Sequence, residues 1–211
     1  LKDEAGSLSM TGKKASLRNL LVIGQVALTI VTLVCAGLFL RSLRKSQTAN
    51  PGFQVSNQVF ATFDLFSNGY DEARGQAFCQ RVLEDIRTRP GVEHACLTRR
   101  LPLSLGGNSS SFIQIEGYNP PPDENMITVY EVVSPGYFAT LGIPIEQGRD
   151  FSKSDTASAP PVVIINRTMA ARYWPQGKAL GKRIFLGKTP LEVIGVATDI
   201  KYKALNEGPQ P

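Results

Sequence analysis

Hydrophobic and polar positions divide this chain sharply. Residues 20–40, LLVIGQVALTIVTLVCAGLFL, are 21 positions without a charge. As a helix they would be about 30 Å long, the thickness of a bilayer's hydrocarbon core. Lys13, Lys14 and Arg18 stand before the run, and Arg41, Arg44 and Lys45 after it. Basic residues at both ends can reach the headgroups on either side. The pattern therefore predicts a transmembrane helix. A secretory signal has a shorter apolar region, about 7–15 residues, and Val34 before Cys35 is not the small residue that lipoprotein processing needs. Within the run, Gln25, Thr29, Thr32 and Ala36 recur at i, i+4, i+7 and i+11 and so share one face. Small and polar residues on one stripe are how membrane helices pack together. This face is expected to meet partner helices from outside these 211 residues.

Beyond the helix the periodicity changes. Val59, Ala61, Phe63 and Leu65 alternate, predicting a strand over residues 58–66. Asp71 can cap a helix to about Thr88, with Phe78, Cys79, Val82, Leu83 and Ile86 on one stripe. Residues 92–97 read as a second strand, which makes a βαβ-like or split α+β unit. Residues 105–111 (LGGNSSS) read as a loop, 112–118 as a strand, 119–125 (NPPPDEN) as a turn or polyproline spacer, and 127–133 as a strand. Ser134 and Pro135 are placed to cap and open a short helix that Gly142 closes. PVVII at 161–165 is wholly apolar, the mark of a central strand buried on both faces. Asn166 caps a helix that stops at Trp174 and Pro175, and residues 183–186 and 191–196 form a closing pair of strands. Residues 1–16 are polar and read as irregular. The predicted class is α+β: one N-terminal transmembrane helix, then an outer domain that begins as a βαβ-like unit and continues as a strand-rich second half with short helices.

Charge changes this picture in one respect. The chain carries +5, and residues 1–45, with seven Lys+Arg and two Asp+Glu, hold all of it. The excess lies where anionic headgroups would be. The outer domain is neutral, with no basic face for nucleic acid. Four basic residues before the helix and three after it barely choose a side of the membrane. Three cysteines make no disulfide framework. Cys35 is in the apolar run, while Cys79 and Cys96 could pair if helix and strand touch, or stay as buried free thiols.

Candidate chemistry is sparse. His94, the single histidine, has no Ser or Cys motif around it. GKALGK at 177–182 imitates a phosphate-binding loop, but its glycine spacing is one residue short and Arg183 stands where Ser or Thr should hold magnesium. Glu146, Asp150 and Asp155 gather around one loop, as paired carboxylates for acid–base work do and solvated loop acids also do. Asn108-Ser109-Ser110 and Asn166-Arg167-Thr168 match the glycosylation triplet, the second being better explained as a helix cap. No Cys/His cluster suggests a metal, and no cofactor is expected.

Taken together, these pieces resemble a known family. SLRNLLVIGQVALTIVTLVCAGLFLRSL at 16–43 is similar to the first membrane helix of FtsX/MacB-type ABC transporter permeases. The extramembrane remainder of the chain resembles the MacB-like periplasmic core domain, above all in the large duplicated permeases of acidobacteria. The matching pieces are NPGF at 50–53, RPGVE at 89–93, VSPGYF at 133–138, LGIP at 141–144, GRDF at 148–151, ARYWP at 171–175, GKR at 181–183, and VIGV at 193–196 leading to DIKY at 199–202. Their shared order over residues 16–211 carries the resemblance. It implies a bacterial inner-membrane protein with residues 1–19 cytoplasmic, 20–40 in the membrane and 41–211 as a periplasmic core domain of two lobes, the strand-rich one, residues 105–187, inserted into the βαβ-like one. It implies no catalytic site here. A separate cytoplasmic ATP-binding subunit would hydrolyse ATP and drive the outer domain, in export, efflux or mechanotransmission. Family permeases continue with three more membrane helices, so the resemblance implies a fragment. Two other readings of the residues stay open: a membrane-anchored sensor or binding module, and a tethered hydrolase using Asp150, Asp155 and His94.

Overall fold

The computed structural model describes residues 7–47, 50–104 and 107–211, and in the first helix the side chains of 19–44. The first six residues of the N-terminal segment and the start of the 105–111 loop lie outside the described residues. The chain divides into two compact units, Leu1–Ala49 and Asn50–Pro211.

Unit one is helix α1, Ser7–Gln47. Residues 7–16, expected to be irregular, are helical. Each residue added to an existing helix gains a hydrogen bond without a new nucleus, so the long apolar segment carries its polar flank with it. Within α1, Asn19–Arg44 is long and apolar enough to cross a membrane, and it is exposed throughout.

Unit two begins with extended backbone. Residues 58–66 form no strand, against the alternation, and Val59 is 96% exposed. Helix α2 comes after it, Glu72–Arg87, with Asp71 accepting from the Arg74 amide at 2.8 Å as predicted. Residues 92–97 also fail to form a strand. They are held by the Arg87 guanidinium on the Ala95 carbonyl and by Leu97, whose amide donates to the Ser134 hydroxyl and whose carbonyl accepts from the Ser134 amide, with a bridge from Thr98 to Val133 just beyond. The expected βαβ unit is therefore not assembled among the described residues. Alternation reports that a segment suits extended backbone; it does not supply the neighbouring strand that a ladder needs.

The remaining elements form the sheet and its helices: β1 (Ser109–Ile115), β2 (Ile127–Tyr130), α3 (Tyr137–Thr140), β3 (Ile145–Gly148), β4 (Val162–Asn166), α4 (Arg167–Tyr173), β5 (Arg183–Leu186) and β6 (Thr189–Ala197). The order is β2-β1-β5-β6-β3, with β4 on the other side of β6. Among the described strands only β4 and β6 are parallel; the other pairs are antiparallel. The closing pair β5–β6 is as predicted. Helix α3 starts two residues late: Ser134 turns to Leu97 instead of capping, and Gly136, at φ 92°, precedes the helix.

Strand β4 is not central. It pairs with β6 alone and borders the sheet. Its run of apolar residues has another cause: Ile165 joins one core and Ile164 the other, so both faces are covered at an edge. The first core gathers Ile113, Ile115, Ile184, Val193 and Val196 from the strands around Met169 of α4. The second joins Tyr137 of α3 and Leu141, at the helix's C-cap, to Ile143 and Ala197. Burying each such aliphatic side chain contributes roughly 1.5–3 kcal/mol. Unit two is thus an α+β domain built on β6, which faces both cores.

Candidate functional site

On α1 the four stripe residues share one exposed face. The Thr29 hydroxyl donates to the Gln25 carbonyl and the Thr32 hydroxyl to the Leu28 carbonyl, each at 2.8 Å. Back-bonding of this kind satisfies a hydroxyl within its own helix. Gln25 is left as the long polar side chain of the stripe.

Each member of the acid group predicted from sequence is committed to the fold by its own partner. Asp155 takes both terminal nitrogens of Arg149, at 2.7 and 2.8 Å, and accepts from the Ser152 amide at 2.8 Å. The Arg149 hydrogen bonds, with Ser152 behind them, hold the Asp155 carboxyl well below the usual carboxylate range. Glu146 is paired with Arg167, whose hydrogen bonds lower its pKa as well. Asp150 accepts from the Phe151 amide at 2.6 Å. Asp150 and Asp155 close the 149–155 loop, while Glu146 ties β3 to α4. His94 is exposed on the extended 92–97 segment, apart from this loop in sequence.

The phosphate-loop imitation fails in structure too. Gly181 donates its amide to Val193, Lys182 donates to Ala179, and Ala179 is 2% exposed. Those amides are used inside the protein and cannot cradle an anion. Asn166 caps α4, accepting from the Met169 amide at 2.9 Å, as its sequence context predicted. Cys35, Cys79 and Cys96 are free thiols, and burial pushes the Cys96 thiol up.

A cavity of about 470 Å³ lies between β2 and β4, a feature the sequence pattern did not announce. On its wall Tyr137 is 2% exposed, and its hydroxyl has no hydrogen-bond partner. Both carboxylate oxygens of Glu131 are likewise buried and unpartnered. Burial raises the Glu131 pKa more than the nearby Arg100 and Arg99 charges and amides lower it. Tyr202, on the same wall, is pushed up to about 12, by burial first and then by the Glu131 charge. Glu131 had a signal in the sequence, a charge inside the apolar run 127–133; Tyr137 had none.

An apolar helix followed by an α+β domain, whose Glu146, Asp150 and Asp155 are held in structural contacts, defines a membrane-anchored module. The MacB-like periplasmic core domain family matches residues 20–209, nearly the whole chain, and the chain belongs to that family of ABC transporter permeases. It is 38% identical over 73 residues to the macrolide export ATP-binding/permease protein MacB 1/2 of Paracoccus denitrificans, covering 35% of this chain and 10% of that protein. It is 36% identical over 64 residues to the ABC transporter permease YvrN of Bacillus subtilis, covering 30% and 16%. The chain thus spans about a tenth to a sixth of these relatives. Among solved structures, the extracellular domain of the transporter YknZ from Gram-positive bacteria aligns with TM-score 0.41 at 20% identity, covering 72% of this chain and 62% of that one. The periplasmic region of MacB from Actinobacillus actinomycetemcomitans aligns with TM-score 0.39 at 20% identity, covering 57% and 52%.

Proposed function

We propose that this chain is the first membrane helix and the extracytoplasmic core of an ABC permease, and that it transmits rather than catalyses. A separate cytoplasmic ATP-binding subunit hydrolyses ATP, and the resulting motion of packed membrane helices moves the outer domain, in export or in mechanotransmission. The N-terminus is cytoplasmic, the outer domain periplasmic, and the membrane the bacterial inner membrane. The face of Gln25, Thr29, Thr32 and Ala36 packs against further helices of the same permease or of a second permease half.

One observation carries this reading. The family match runs without interruption from the apolar helix into the outer domain, so the two belong to one module. The commitment of Glu146, Asp150 and Asp155 to structural contacts agrees with a mechanical part.

Affinity purification of the full-length protein tests the reading. It is expected to bring down an ATP-binding subunit in stoichiometric amount. A cysteine at Ser109 is expected to react with a membrane-impermeant maleimide in cells with a permeabilised outer membrane. Purification without any ATPase, or labelling only after lysis, rejects it.

A further inference from the structure

The groove between β2 and β4 is bounded by two strands that each have one partner. Strand β2 pairs with β1, and β4 with β6. Along the groove, therefore, both present backbone N–H and C=O groups without ladder partners, an arrangement that invites another strand. Counting directions around the sheet, β2 is antiparallel to β1, β1 to β5, β5 to β6, and β6 is parallel to β4. Strands β2 and β4 consequently run in opposite directions across the gap.

The last residues of the chain are fixed at one end of this groove. The Asn166 side-chain amide, at the end of β4, donates to the Gln210 carbonyl at 2.6 Å. The Thr128 hydroxyl, near the start of β2, donates to the Pro211 carbonyl at 2.8 Å. From that position the groove leads back along β4 toward Val162 and forward along β2 toward Val133, and residues of both segments line it. Its wall also holds the unpartnered Glu131 carboxylate and Tyr137 hydroxyl, buried acceptors that need donors.

We propose that the residues directly following Pro211 in the full-length protein fill this groove as an extended strand, antiparallel to β4 and parallel to β2. The inference rests on the permease reading only in that the relatives are longer than this chain, the matched stretches being 10% and 16% of their lengths. The added strand closes the sheet in the order β2-β1-β5-β6-β4 and back to β2, removing both open edges at once. Its amides alternate between the two edges and complete both ladders. Alternate side chains of the strand point at the first core, so that sequence is expected to alternate with apolar residues inward.

Two measurements on the full-length protein in lipid nanodiscs test this. Hydrogen exchange is expected to show residues 127–133 and 162–166 protected to about the level of β6, and at least about a hundredfold more than the exposed Asn119 and Asp123 amides. Single cysteines scanned over the first eight or so positions after Pro211, in a background with Cys35, Cys79 and Cys96 changed to serine, are paired with Val129→Cys or Val163→Cys. Disulfides are expected at alternate positions, the later ones with Val163→Cys. Fast exchange along both edges, or no cross-link at any position, in protein that still binds its ATPase, overturns the proposal. Cross-links without any bound ATPase would uphold it and reject the permease reading instead.

Discussion

Gly148 of β3 and Gly195 of β6 are register partners, and neither has room for a side chain. A Cβ on Gly148 would lie 2.1 Å from the Ile194 carbonyl oxygen, and one on Gly195 would lie 2.6 Å from the Arg149 carbonyl oxygen. Both obstacles are backbone, which cannot swing aside as a side chain can. Gly148 also sits at φ +77°, where a Cβ is strained wherever it points. Gly148→Ala and Gly195→Ala are each expected to cost about 2–3 kcal/mol, and the pair less than the sum, because one widening of the β3–β6 seam relieves both. Denaturation of the chain in detergent, followed by the fluorescence of its single tryptophan, Trp174, measures this. A cost below about 0.5 kcal/mol for either would contradict the contact geometry.

Helix α2 has no buried residue, so its attachment depends on few contacts. One is the Arg87 guanidinium, which donates to the Ala95 carbonyl at 2.8 and 3.2 Å and to the Pro135 carbonyl at 3.2 Å. The rings of Phe63 and Tyr70 against Phe78 add a second. Arg87→Ala is expected to raise amide exchange in α2 about tenfold, the effect of losing one to two kcal/mol of hydrogen bonding, while β6 stays unchanged. Equal loosening of both elements would mean that α2 and the sheet unfold together.

Local signals were legible in this sequence, and partnerships were not. The apolar run of α1 needs no tertiary knowledge, because 21 uncharged residues exceed any ordinary signal or core segment. The caps Asp71 and Asn166 act within three residues of themselves and were read correctly. Val59 and Phe63 alternate as strand residues do, yet nothing in their own segment says which strand would lie beside them. The apolar run of β4 correctly reported two covered faces and wrongly suggested two neighbouring strands, since Ile164 and Ile165 meet separate cores at an edge. Asp155 looked like possible chemistry because sequence shows that an acid is near a loop, not that Arg149 has taken it.

That pair sets an acid dependence. Asp155 is held below its ordinary value by Arg149, so the folded state binds the proton at lower pH than the unfolded state. The stability the pair contributes is complete above the unfolded carboxylate's pKa, about 4, and is lost as pH falls below it. Asp155→Asn is expected to flatten the fall in melting temperature between neutral and acid pH, and to lower the neutral value by loosening the 149–155 loop. Arg149→Lys, which cannot make both parallel hydrogen bonds, is expected to act in the same direction but less. An unchanged acid limb in Asp155→Asn would remove Asp155 as its source.

The stripe on α1 makes opposite predictions for neighbouring polar residues. Thr29 and Thr32 have already spent their hydroxyls on the carbonyls of Gln25 and Leu28, so valine in their place keeps the shape and loses only an internal bond. Gln25 has a carboxamide with no comparable closure onto its own helix at hand, and hydrocarbon offers it nothing. If it meets a neighbouring helix, Gln25→Leu removes an interhelical hydrogen bond of about 0.6–1.7 kcal/mol, a weakening of roughly three- to twentyfold. In the full-length protein, Gln25→Leu is therefore expected to reduce the amount of ATPase retained on purification in mild detergent, and Thr29→Val to leave it within twofold. Were Gln25 to face lipid instead, leucine would suit the bilayer better, and the same substitution would leave retention unchanged while raising the yield of membrane-inserted protein. Comparing the two substitutions side by side decides which way the stripe is turned.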